Sequence, residues 1–328
     1  MNLEQELNVA IQAVTTAAKL CENVRTTLVT EDTAIKKDRS PVTIADYGAQ
    51  ALIIHTLRQA FPFDPVVAEE DTKDLRTAQG AGLLAKVVDK VQEVAPGLNK
   101  ATILEAIDGG KHPGGRTGRF WTLDPIDGTK GFLRGDQYAI ALALIEEGEV
   151  VLGALACPRL PENLANPGGA VGQVFYAARG QGAYTRPLGS STGHRTHVST
   201  TASPAAAVFC ESVESGHSSH GHSAKIVARL NVQAAPLRVD SQAKYAAVAR
   251  GDADVYLRLP TRKDYEEKIW DHAAGWIVVQ ESGGKVTDIY GKPLDFSLGR
   301  TLKVNKGVVA TNGTLHDDIL AAVGAVLG

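Results

Sequence analysis

The stretch FWTLDPIDGTKGF, Phe120 to Phe132, sets an apolar run against two aspartates three residues apart, with Pro125 between them and Gly128-Thr129 behind. Pro and Gly packed this closely are an awkward choice for a helix or a strand, and D-P-x-D-G taken alone reads as a turn. Other acids of the chain stand in the same kind of place. Asp46 lies near the amino end of an apolar helical pattern, Glu69 and Glu70 follow the run Val66-Val67-Ala68, and Asp271 follows Ile269-Trp270. Alone, Asp46 or Asp271 would pass for a helix N-cap. Together they are acidic stations beside residues that bury backbone, and several buried carboxylates are tolerable only if cations neutralise them.

Hard oxygen ligands without Cys or an organised His cluster select Mg²⁺, Mn²⁺ or Ca²⁺ over zinc. Two or more Mg²⁺ ions held in this way activate water and stabilise the leaving oxygen in phosphoryl transfer. If Gly128-Thr129 leads into a helical turn, its free N–H groups can hold a phosphate oxygen while Asp127 holds the metal.

The rest of the chain is consistent with such an enzyme. Its 328 residues suit two ordinary domains or one large one. Thirty-four Lys and Arg against 37 Asp and Glu leave a net charge of −3, which removes any global case for nucleic acid or membrane binding. Cys21, Cys157 and Cys210 are far apart and odd in number, which argues against a disulfide framework and for a reducing compartment. The opening residues lack the basic start and apolar run of a signal peptide, and no apolar run approaches a membrane span, so a cytoplasmic location is expected.

Apolar residues at three- and four-residue spacing predict a helix over about 3–28, then a charged turn and a short extended stretch, then a helix over 45–61. Residues 72–119 look like an insertion: two short helical patterns and the basic loop GGKHPGGRTGRF, a lid candidate whose Arg116 and Arg119 could reach a phosphate. Two hairpins follow, over 138–160 and 172–186, and a Ser/Thr/Gly/Pro-rich stretch marks a boundary between a 1–188 unit and a 189–328 unit. Beyond it strand and helix alternate, with Gly251 and Gly283 where helix C-caps belong.

VVAEE, WTLDPIDGTKGF and IWDHAAG, in this order, resemble the three metal-binding motifs of the lithium-sensitive, magnesium-dependent phosphatases related to inositol monophosphatase. SPVTIADYGAQALI, ESVESGHSSH, DSQAKYA, DVYLRLP and YEEKIWDHAAG are similar to the 3'(2'),5'-bisphosphate nucleotidases within that superfamily. The resemblance implies an α+β unit followed by an α/β unit, in a layered α-β-α-β-α sandwich of the inositol monophosphatase and fructose-1,6-bisphosphatase type. It implies two to three Mg²⁺ ions on Glu69, Asp124, the Ile126 carbonyl, Asp127 and Asp271, with Asp46 and Thr129 acting on the attacking water. Gly128 and Thr129 would receive the phosphate, and His217, Ser241, Lys244 and Arg258 would hold the nucleotide. The implied substrates are adenosine 3',5'-bisphosphate (PAP), its sulfated relative 3'-phosphoadenosine 5'-phosphosulfate (PAPS) and inositol 1,4-bisphosphate, acted on by a monomer.

Three rivals remain. In haloacid-dehalogenase-type phosphatases the two aspartates stand two apart, directly after a strand; here they are three apart with Pro125 between. An inositol phosphatase would share the metal motifs. A non-catalytic nucleotide or metal sensor would be expected to lack Asp46 or Thr129, and both are present.

Overall fold

The computed structural model describes residues 2–29, 40–164, 166, 168–213, 220–262 and 264–328. Two sheets organise the chain. In the first, β1 (Val66–Ala68) runs parallel to β2 (Arg119–Asp127), and an antiparallel series follows in chain order: β3 (Ala139–Glu146), β4 (Glu149–Pro161), β5 (Val171–Ala178), β6 (Gly182–Pro187) and β7 (His194–Arg195). The second sheet combines β8 (Phe209–Glu211), β9 (Leu237–Arg238), β10 (Val255–Arg258), β11 (Lys285–Thr287) and β12 (Val308–Thr311), in the order β11-β12-β10-β8-β9. Both expected hairpins form, the first through Glu147 and Gly148 at φ 51° and 81°. Positive φ at both positions matches the twist of the flanking strands.

Helices supply the other three layers. Helices α1 (Glu4–Val24) and α2 (Ser40–Ala60) cover the outer face of the first sheet, with α3 (Ala81–Val94) and α4 (Lys100–Asp108) packed on α2. After the short α5 (Thr129–Arg134), α6 (His220–Arg229) and α9 (His316–Leu327) cover the outside of the second sheet, while α7 (Ala243–Arg250) and α8 (Ala273–Glu281) lie between the sheets. The result is the expected α-β-α-β-α sandwich. The sandwiched position explains the sequence AAGWIVVQE: a helix covered on both sides needs no polar face, and Ala273, Ala274, Ile277, Val278 and Val279 are all buried. Strand β3 reads as the near-continuous apolar run AIALALI for the same reason. Helix and sheet approach closely at Gly153, where a Cβ would stand 2.6 Å from Ile277.

Two local readings change. Helix α2 starts at Ser40, not near residue 45, and the stretch expected to be extended is its first turns. Pro41 is compatible with that start because a first-turn N–H has no helical acceptor. The 72–119 segment contributes Leu84, Val87, Val91, Ile103 and Ile107 to the main core through α3 and α4, so it is not a free lid; turns and loop remain at 72–80, 95–99 and around 109–118. The three cysteines are buried and free, and no helix among the described residues is long and apolar enough to cross a membrane.

Candidate active site between the two sheets

The acids of FWTLDPIDGTKGF lie on β2 itself, so the turn reading of that stretch is wrong. Asp124 pairs with Ala141 and Asp127 with Ala139, so three steps on β2 oppose two on β3. The extra residue is a β-bulge. Without it, residues three apart would point to opposite faces; with it, both aspartates share the face of Ala139 and Ala141. Those alanines belong to the core between the sheets, so the carboxylates face the second sheet. Pro125 falls within the bulge, where a missing N–H is tolerated. Gly128 then turns the chain at φ 90° into α5, and a Cβ there would stand 2.8 Å from the Ser241 Cβ.

Strand alternation carried one residue past β1 puts Glu69 on the side of Val67, which also faces the inter-sheet core. Gln50 of α2 fixes this strand end. Its Nε2 donates to the carbonyls of Glu70 and Ile107 (2.8 and 2.9 Å), and its Oε1 accepts from the Glu70 N–H (3.1 Å). Asp46 is buried in the second turn of the same helix, past the N-cap position.

The second half contributes a turn at Ile269–Asp271 and the start of α7. Arg258 Nη2 donates to Asp271 Oδ2 at 3.0 Å and lies 2.8 Å from Glu267 Oε2, which in turn lies 3.2 Å from His272 Nε2. His272 Nδ1 is 2.8 Å from the Tyr245 hydroxyl. Glu267 and His272 are therefore committed to orienting Arg258 and the Asp271 turn. Gln242 connects the halves. Its backbone N–H donates to Asp127 Oδ2 (2.6 Å), its Nε2 to the Trp270 carbonyl (2.9 Å), and its Oε1 accepts from the Gly275 N–H (3.2 Å).

Glu69, Asp124, Ile126, Asp127, Gly128, Thr129, Ser241, Lys244, Arg258 and Asp271 line one cleft of about 200 Å³. Asp46 stands behind its wall, on a helix that touches α5, the helix Thr129 opens. Glu70 does not line the cleft, whereas Glu69 does. His217 lies outside the described residues. Arg116 lines a different hollow, beside Glu147 and Trp276. Arg119 is held by Glu6 (2.9 Å) and Asp64 (2.8 Å) against the Phe61 ring, so neither arginine of the basic loop joins the cleft. Gln50, Gln242 and Glu267 lie within the quoted stretches but are assigned no role from the sequence, because what each one does shows only once its hydrogen-bond partners are placed.

The carboxyls of the cleft are strained by one another. Burial raises Asp124 well above the usual carboxylate range, and Glu69, Asp127 and Asp271 raise it further. Asp46 is raised by burial, then by Glu70 and Glu69. Glu69, open to the cleft on one side, is pushed up to about 8 by the surrounding protein and then by Asp271, Glu70 and Asp127; water on its open side screens part of that push. Burial raises Asp271 while Arg258 opposes it, and burial lowers Lys244 while Asp127 opposes that. Asp124 Oδ1 is buried with no hydrogen-bond partner. An orphaned carboxylate oxygen among like charges fits a hard cation, and the donor set is all oxygen.

Fold and cleft together define a class. The chain belongs to the inositol monophosphatase family, matched from residue 2 to 327, and this family is metal-dependent. Among curated relatives it is 46% identical to the 3'(2'),5'-bisphosphate nucleotidase of Emericella nidulans, covering 100% of this chain and 99% of that one. It is 48% identical to the protein of the same name from Oryza sativa, covering 97% and 93%. Solved structures with the same fold include the Thermotoga maritima inositol monophosphatase (TM-score 0.63, 23% identity, 98% of each chain) and that of Zymomonas mobilis (TM-score 0.65, 21% identity, 99% of each chain).

Proposed function

We propose that this chain is a magnesium-dependent 3'(2'),5'-bisphosphate nucleotidase that hydrolyses the 3'-phosphate of PAP to AMP and phosphate, and acts on PAPS as well. The observation that carries the reading is a single cleft lined by the acids Glu69, Asp124, Asp127 and Asp271 and by the cations Lys130, Lys244 and Arg258. A substrate with two phosphates needs both sets, because metal ions neutralise only the group being cleaved. The names of the curated relatives support the same choice.

Glu69, Asp124, the Ile126 carbonyl, Asp127 and Asp271 would hold two to three Mg²⁺ ions. Bound there, Mg²⁺ supplies charge neutralisation at the phosphate and acidifies the attacking water. The N–H groups of Gly128 and Thr129 donate to the phosphate oxygens where β2 gives way to α5. The Thr129 hydroxyl receives the water proton and Asp46 behind it takes up the hydroxyl's own, as the water oxygen bonds to phosphorus. The bond from phosphorus to the ribose O3' breaks, O3' takes a proton from solvent water, and inorganic phosphate leaves. Lys244, Arg258 and Ser241 hold the remaining phosphate and nearby oxygens, with His217 assigned to the nucleotide by resemblance. In this scheme the 1–188 unit brings most metal ligands and the 189–328 unit brings Asp271 and the nucleotide contacts, in a cytoplasmic monomer.

The test is phosphate release from PAP, PAPS and inositol 1,4-bisphosphate, each with Mg²⁺ and with EDTA. Release is expected to depend on Mg²⁺, with the nucleotides preferred and Li⁺ inhibiting. Preference for inositol 1,4-bisphosphate would move the chain to the inositol phosphatases, and binding of PAP without release would make it a sensor. A phospho-aspartate trapped on Asp124 or Asp127 would defeat direct attack by water.

A further inference from the structure

We infer that Arg300 is a positioning residue that sets the spacing between Glu69 and Asp271, and through it the affinity for the cations held in the cleft. Its guanidinium donates to three main-chain carbonyls, those of Ala68 (2.5 Å), Gly110 (3.2 Å) and His112 (3.1 Å). It also lies over the Trp270 ring, 4.8 Å from the centroid. Ala68 immediately precedes Glu69, and Trp270 immediately precedes Asp271. One side chain therefore grips the residue before an acid of each half. Its main chain helps: the Arg300 carbonyl accepts from the Ile269 N–H at 3.2 Å, and Thr301 bridges Lys268.

Trp270 is thereby held from two directions, its ring by Arg300 and its carbonyl by Gln242. Gln242 registers the Asp271 turn against Asp127, and Arg300 registers it against Glu69 and the 110–112 loop. The task suits arginine: its planar fork reaches several acceptors at once and stacks on an indole, which the point charge of a lysine does not reproduce.

A purely electrostatic role predicts the opposite sign. Removing a positive charge from beside an acidic cleft should strengthen cation binding. Removing a clamp should weaken it, and loss of groups that orient metal ligands costs about 10–100-fold in affinity. The sign of the change therefore separates the two roles.

This inference rests on the reading of Glu69 and Asp271 as metal ligands. The experiment titrates Mg²⁺ into the full-length metal-free wild type, Arg300→Met and Arg300→Lys, following the thermal midpoint and heat of binding without substrate. Both variants are expected to need about tenfold more Mg²⁺ for half-maximal stabilisation, while the substrate KM at saturating Mg²⁺ stays put. Arg300→Lys keeps the charge, so it tests geometry even if Arg300→Met fails to fold. An unchanged or lower Mg²⁺ requirement, with only the metal-free midpoint reduced, would overturn the proposal and leave Arg300 a fold-stabilising residue. Absence of any Mg²⁺-dependent shift in the wild type would instead remove the metal reading, and this proposal with it.

Discussion

Replacing Asp124 by Asn should stabilise the metal-free protein and destabilise the metal-loaded one. Asp124 is 2% exposed and its Oδ1 meets no donor. Burial, then Glu69, Asp127 and Asp271, hold its carboxyl well above the usual range. A folded-state pKa above the unfolded one means that the penalty is absent below the ordinary Asp value of about 3.9, grows as the pH rises, and levels off above the folded value. Asparagine keeps the shape and removes the charge. An unmatched buried polar atom costs about 1–3 kcal/mol and a charged one more, so with the new amide itself poorly matched the net gain at pH 8 is about 1–3 kcal/mol. That corresponds to about 2–6 °C in Tm for a chain of this size, shrinking toward zero near pH 4. With Mg²⁺ in about thousandfold excess over its Kd, the wild type gains about 4.1 kcal/mol that the variant largely forgoes, and the order inverts. Melting curves of both proteins at pH 5 and pH 8, in EDTA and in Mg²⁺, test all of this. A variant less stable than wild type in EDTA at pH 8, or a gap that ignores pH, would refute the reasoning.

Thr129 is exposed at the start of α5, so Thr129→Ala should leave the fold and the Mg²⁺-induced Tm shift intact while lowering kcat by about 10²–10⁴-fold. Loss of the Mg²⁺ shift as well would reassign Thr129 to the metal site. Arg119→Ala should do the reverse. Its pairs with Glu6 and Asp64 tie α1 to the first sheet, so stability should fall by about 1–2 kcal/mol with kcat and KM unchanged. A raised substrate KM would return Arg119 to the cleft.

The acids were legible in the sequence because a carboxylate beside buried apolar residues is a local contradiction, and Asp124, Asp127, Glu69 and Asp271 each show it within a few residues. The bulge that aims two of them at one face was visible only as an oddity, Pro125 and a three-residue gap, because a bulge is defined by the partner strand. Arg119 misled for a related reason: a basic residue in a Gly-rich loop looks available until Glu6, 113 positions away, is placed beside it. Gln50, Gln242 and Arg300 are ordinary polar residues until the strand ends they bridge are assembled. Strand β12 offers only the four residues VVAT, too few for a period to show, yet it lies between β11 and β10 in the second sheet.

The same long-range partners bear on how the cleft could take metal and substrate in turn. Arg258 has two acidic partners, Asp271 on the cleft and Glu267 behind it. Although burial opposes ionisation of Glu267, Arg258 and His272 outweigh it and hold that carboxyl well below its usual range. Glu267 is therefore a fixed anion. On the proposed reading Asp271 is drawn toward the metal, and Arg258 loses one partner without becoming a bare buried charge. A guanidinium with one carboxylate retained and one released is still anchored, and has donors to offer a phosphate. Metal loading and readiness of the phosphate-binding cation would then be linked through Asp271, the one acid of the cleft that both require.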